Sequence, residues 1–224
     1  TIRKKFFLKR FFFSLILFSN FSVHSQTFLT FEEIRNSFNT TEGVVLDRKG
    51  HILQEFRRDD RERKLTWCAL GDISPAFFKA LLFSEDKNFY LHDGVDWKAF
   101  LKATFDFFTF RGKRGASTIT MQLASILKDD IRWKGKKKSV FQKIEQIGLA
   151  KELEKSWGKN EILEAYLNLI SFRGELTGIS AASRGLFGKY PHGLTDIESL
   201  ILAVLIRSPN SSLSKIEKRA CTLS

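Results

Sequence analysis

A chain of 224 residues with 43% hydrophobic and 28% charged residues can bury a real core, which excludes a disordered or fibrous polypeptide and fits one compact domain behind an N-terminal segment. Its 37 Lys and Arg against 25 Asp and Glu leave a net charge of +12, suited to an anionic partner such as nucleic acid, a phospholipid surface or a phosphorylated substrate. Two distant cysteines, Cys68 and Cys221, and four scattered histidines show neither a disulfide framework nor ligand spacing, so no structural metal is expected.

Arg3, Lys4, Lys5, Lys9 and Arg10 precede an apolar, phenylalanine-rich run from Phe11 to Val23. A positive cluster before a short apolar segment is a membrane address, and residues 1–25 fit either a signal peptide cleaved near Val23-His24-Ser25 or a short anchor. Residues 26–42 read as a linker, and two β-prone runs about Lys49-Gly50 predict a hairpin over 43–56. The charged stretch from Arg57 to Lys64 reads as a solvated loop. From Ser74, placed to cap, and Pro75, at the first helical position, the pattern turns helical, and no strand-like run of similar quality follows.

Phe77, Phe78, Leu81 and Leu82 recur at helical spacing and mark a buried face. Glu85 falls on or beside that face, where a partly desolvated carboxylate can serve as an acid or base, although Glu85 and Asp86 taken alone read more simply as solvated charges at a helix end. Val95 to Phe110 is a further helix that could be core or could face a membrane. In Arg111 to Gln122, basic residues and glycines give way to hydroxyls at a helix head, an arrangement suited to phosphate but lacking the Gly-Lys-Ser/Thr ending of a nucleotide-binding loop. The basic run Arg132 to Lys138, following an export signal, favours anionic lipid over nucleic acid. Helices are predicted over 139–157, 159–170, 179–187 and 196–206.

Five stretches then occur in a fixed order. Glu85-Asp86-x-x-Phe89-x-x-His92-x-Gly94 is followed by Gly115-Ala116-Ser117-Thr118-Ile119-Thr120-Met121-Gln122, by Lys143, by Lys159-x-x-Ile162-Leu163-Glu164-x-Tyr166-Leu167-Asn168, and by Gly178-Ile179-x-Ala181-Ala182-x-x-x-Leu186-Phe187-Gly188-Lys189. With these, residues 43 to 210 resemble the glycosyltransferase module (family 51) of class A penicillin-binding proteins and the related monofunctional peptidoglycan glycosyltransferases. The resemblance implies a mainly α fold, a lysozyme-like helical core with a small membrane-proximal jaw and a short N-terminal hairpin. It also implies a transferase domain over 43–212, with 213–224 as a C-terminal tail where a transpeptidase domain would begin; Ser212-Leu213-Ser214-Lys215 is then a chance match to Ser-x-x-Lys.

By the same resemblance, the reaction polymerises lipid II into glycan strands by inverting transfer to a C4 hydroxyl, at the periplasmic or extracellular face of a bacterial cytoplasmic membrane. Its partners are lipid II, the nascent glycan strand, the outer leaflet and other cell-wall synthesis proteins, with no nucleic acid. Glu85 takes the place of the general base, Asp86 that of its orienting neighbour, and Gln146 the position where the third motif usually carries a second carboxylate. Asn88, Phe89, His92, Arg114, Ser117, Thr118, Thr120, Gln122, Lys143 and Glu145 fall on the substrate side, His92 also reading as a structural hydrogen-bonding group. Gly94, Glu164, Tyr166, Asn168, Gly188 and Lys189 take structural places, Glu164 by helix-to-helix hydrogen bonding.

Three positions depart from the family pattern. Gln146 replaces Glu, Asn88 stands where Arg is common, and Ser125 stands where a base is usual. No cofactor is required by these residues, Mg²⁺ or Mn²⁺ being left open. The alternative implied by the departures is a weak or inactive relative that binds lipid II or the cell wall.

Overall fold

The computed structural model describes residues 29–108, 117–128 and 140–223. The expected signal or anchor at 1–25, Arg114 with its glycine-rich neighbours, and the basic run 132–138 lie outside the described residues. The fold is mainly α, as the sequence predicts, with two small two-stranded sheets, of which only the first is the expected hairpin.

Helix α1 (Phe31–Ser37) lies within the stretch expected to be a linker. Thr30 and Glu33 form a reciprocal capping box at its start, and Phe31 packs edge-on against Trp67 and Trp157 with ring centroids 6.1 and 5.7 Å away. Those contacts fix the segment to the body. Strands β1 (Glu42–Leu46) and β2 (Ile52–Arg57) make the expected hairpin, antiparallel from Glu42↔Arg57 to Leu46↔Ile52 with an irregularity after Val45. The charged stretch to Lys64 is not wholly a solvated loop. It ends in β3 (Arg63–Lys64), where Arg63 pairs with Glu42 at 2.5 Å and the backbone pairs in parallel with β4 (Leu176–Thr177).

Helix α2 (Pro75–Glu85) buries Phe77 and Leu81 completely and packs against α8 (Asp196–Arg207). Ser74 stands at the N-cap position, but its side chain makes no capping bond; its backbone N–H donates to Pro191 O at 3.1 Å instead. After α3 (Trp97–Phe108) comes α4 (Ile119–Leu127), the most enclosed helix, in which Ile119, Met121, Leu123 and Ala124 have no exposed surface. Against α4 lie α5 (Val140–Ser156) and α6 (Lys159–Leu169), followed by α7 (Ile179–Phe187). The stretch expected to be a tail forms α9 (Leu213–Leu223), which packs on α8 and α2 and puts Ile216 into the core.

Two glycines set the close approaches that bring the motifs together. Gly94 and Gly178 have φ of +81° and +83°, and a Cβ on either would stand 2.8 Å from Ala150 O or 2.7 Å from Asn168 O. Glycine therefore lets the turn after Glu85 press onto α5 and the start of α7 press onto α6.

Candidate active site

Glu85 is the last residue of α2, half-buried where that helix stops. One carboxylate oxygen accepts from Ser84 Oγ at 3.3 Å and the other from Gln122 Nε2 at 3.1 Å. The other end of Gln122 is fixed too, since its Oε1 accepts from Tyr166 Oη at 3.0 Å. Burial first, and then the Glu85 and Asp86 carboxylates, push the Tyr166 phenol well above its ordinary pKa, so it stays protonated and donates. A Tyr donor on one side and a carboxylate acceptor on the other leave Gln122 one orientation. Tyr166, expected to be structural, thus acts through Gln122 on Glu85.

Removing that hydroxyl gives an expected result. Tyr166→Phe leaves Gln122 Oε1 without its donor, costing about 1–3 kcal/mol of stability. With Glu85 less firmly held, turnover should fall about tenfold with little change in KM, as misplacement of a reacting group predicts. Steady-state kinetics beside a thermal melt separates the two effects.

Asp86 does not touch Glu85. Its buried carboxylate turns inward, accepting from Ile119 N at 3.0 Å at the head of α4 and from His92 Nε2 at 3.0 and 3.1 Å. Asp86 and His92 therefore tie the first motif to the second, with negative charge at a helix N-terminus, rather than orienting the base or meeting substrate. Thr118 and Thr120 are likewise buried and committed. Thr118 caps α4 and donates to Gly94 O at 2.6 Å, while Thr120 donates to Glu154 at 2.6 Å, a carboxylate that also receives Lys159 at 2.6 Å.

A cavity of about 270 Å³ opens beside Glu85. Its α4–α5 side is lined by Ser117, Gln122 and Gln146, its α2–α8 side by Ser84, Glu85, Ile206 and Arg207. Lys143 Nζ donates to Ser117 Oγ at 2.6 Å and to Gln146 Oε1 at 3.2 Å, both residues of the cavity lining. Gln146 is 1% exposed, and its amide nitrogen donates to Met121 O and to Ser125 Oγ, both at 2.7 Å. Two of the departures from the family pattern are therefore one neutral hydrogen-bonded unit.

That unit does not fit a divalent cation. The amide nitrogen points into α4, the amide oxygen faces an ammonium, and no group of three or more His, Cys, Asp or Glu gathers as ligands among the described residues.

Several expected substrate contacts lie elsewhere. Phe89, 1% exposed, belongs to the core. Asn88 donates to Asp96 at 2.7 Å, and the Ala99 N–H, then Asn88, hold that carboxylate below its ordinary range at the start of α3. Glu145 pairs on the surface with Lys128 at 2.6 Å. Glu164 accepts from Trp67 Nε1 and Leu70 N at 2.8 and 3.1 Å, tying α6 to the short 3-10 helix Leu70–Asp72 and to the segment before it. Asn168 clamps both backbone groups of Cys68 at 2.8 Å; burial raises that thiol to about 11, so it stays protonated. Gly188 closes α7 in the left-handed region, and Lys189 pairs with Glu198 at 2.8 Å. Arg207, at the end of α8, lines the cavity with its neighbour Ile206 and with Ser84, none of which sequence reasoning placed in the site.

Residues 49–223 match the family described as Transglycosylase. The chain is 41% identical over 150 residues to penicillin-binding protein 2D of Bacillus subtilis (strain 168), covering 66% of this chain and 21% of that protein. It is 40% identical over 148 residues to a biosynthetic peptidoglycan transglycosylase of Marinomonas sp. (strain MWYL1), covering 66% and 64%, and 35% identical over 177 residues to the protein of that description from Haemophilus influenzae (strain ATCC 51907 / DSM 11121 / KW20 / Rd), covering 78% and 68%. The chain thus spans less than two thirds of the first two relatives.

Proposed function

Since the protein belongs to the Transglycosylase family, we propose that it is a peptidoglycan glycosyltransferase that polymerises lipid II, with residues 43–212 as the transferase domain. The observation that carries this reading is Glu85, a half-buried carboxylate held by Ser84 and Gln122 at the edge of a cavity that is also lined by Ser117 and Gln146, the two residues to which Lys143 donates. In the reaction, Glu85 takes the proton from the attacking C4 hydroxyl as the new C–O bond forms at the anomeric carbon. The bond to the diphosphate breaks with its electron pair on the departing oxygen, and attack from the opposite face inverts the centre. Lys143, steered by Ser117 and Gln146, stabilises the leaving anion.

The relatives' names speak for an envelope location, and α3 supports a membrane surface at the outer leaflet. Trp97, Leu101 and Phe105, four residues apart, are 48%, 66% and 62% exposed on one helical face, with Lys98 and Lys102 beside them. No helix among the described residues is long and apolar enough to cross a membrane.

Incubation with lipid II, read as glycan chains on a denaturing gel, tests the proposal. Chains are the expected product. Release of reducing ends from preformed peptidoglycan without polymer would replace the transferase with a hydrolase, which needs a second carboxylate to activate water.

A further inference from the structure

The reaction cavity has a neighbour. A second concavity of about 270 Å³ shares Ser84 and Arg207 with it and is completed by Val204, Arg219 and Thr222 on α8 and α9. Two guanidinium groups converge there on neutral partners. Arg207 Nη1 reaches Ser84 O at 3.5 Å, a long bond, and Arg219 Nη1 donates to Ser208 Oγ at 2.5 Å. Neither arginine joins an ion pair among the described residues. Planar five-donor groups held at the rim by single neutral acceptors keep donors for an anion, and their fork matches a carboxylate. In the proposed reaction the diphosphate falls to Lys143, which is bonded to Ser117 and Gln146 rather than to either arginine.

We propose that Arg207 and Arg219 form a carboxylate subsite beside the reaction cavity, which binds an acidic group of the stem peptide carried by the substrate and so selects substrates by the charge of that peptide. The choice of ligand rests on the lipid II reading. Arg207 spans both cavities, so occupation of the subsite sets the sugar against Glu85.

The test is equilibrium binding of a labelled, soluble disaccharide-peptide that lacks diphosphate, in two forms, with free peptide carboxylates and with those carboxylates amidated. The full chain should bind the acidic form about tenfold more tightly, as charge-assisted hydrogen bonds predict. Arg219→Gln should erase that preference, and Arg207→Lys should retain part of it, keeping charge but losing the fork. Equal binding of both forms, no binding of either, or a preference unchanged in Arg219→Gln overturns the proposal. Lipid II polymerisation run in parallel separates the two ideas. Polymer without a charge preference removes the subsite and keeps the transferase, whereas the preference without polymer keeps the subsite and removes the transferase.

Discussion

Glu85→Gln should reduce lipid II polymerisation by at least about 10²-fold, the lower end of what a positioned base contributes, while leaving the fold and lipid II binding intact. Gln at position 85 has nearly the same shape, and its amide oxygen can still accept from Gln122 Nε2, so the chain from Tyr166 through Gln122 survives. What disappears is the capacity to take a proton. Among the described residues no other carboxylate lines the cavity, and the residue at 146 is an amide whose nitrogen is bound to Met121 O and Ser125 Oγ. The loss therefore falls on turnover. Rates of chain formation, set beside lipid II binding and a thermal melt, check all three parts of this expectation.

Asp86→Ala should be the most destabilising change in the motifs. It strips acceptors from Ile119 N–H and from His92 Nε2, both in the interior, and His92 Nδ1 already lacks a hydrogen-bond partner. Two orphaned buried groups cost about 1–3 kcal/mol each, so the melting temperature should fall by about 6 °C or more for a chain of this size. Asp86→Asn should cost much less. Its amide oxygen can accept from Ile119 N–H, and His92 can shift its proton to Nδ1 and accept from the Asn amide. If Asp86 instead oriented Glu85, the Asn variant would lose turnover without losing stability, so melting curves and rates on the two variants distinguish the roles.

The helices from Pro75 to Arg207 were legible because apolar spacing records which face is buried. Phe77 and Leu81 on α2 are where the periodicity puts them. Helix α1 was missed although Thr30-x-x-Glu33 spells a capping box, since seven residues carry too little periodicity, and the aromatic contacts that fix Phe31 come from Trp67 and Trp157. The β3–β4 pair joins two residues to two others far along the chain, which no local pattern announces.

Within the site, motif order located Glu85, Gln122 and Lys143 but not their neighbours' directions. Three hydroxyls stand within four positions, yet Ser117 alone lines the cavity, because Thr118 is spent as a helix cap and Thr120 faces Glu154. A cap at Thr118 could have been foreseen from its place at the helix head. The bond between Gln146 and Ser125, 21 residues apart, could not, and it makes the two positions one neutral, mutually bonded pair. Arg207 escaped notice for a similar reason, since only the packing of α8 against α2 brings it beside Glu85.

The central claim is that this cleft transfers glycosyl groups with Glu85 as its one carboxylate base and with Lys143, rather than a divalent cation, facing the leaving group. The most direct measurement is lipid II polymerisation by the unaltered chain in excess EDTA. Glycan chains formed at the rate seen with added Mg²⁺ or Mn²⁺ are the predicted result. Chains that appear only when a divalent cation is supplied, or lipid II bound with no chains under either condition, would contradict it.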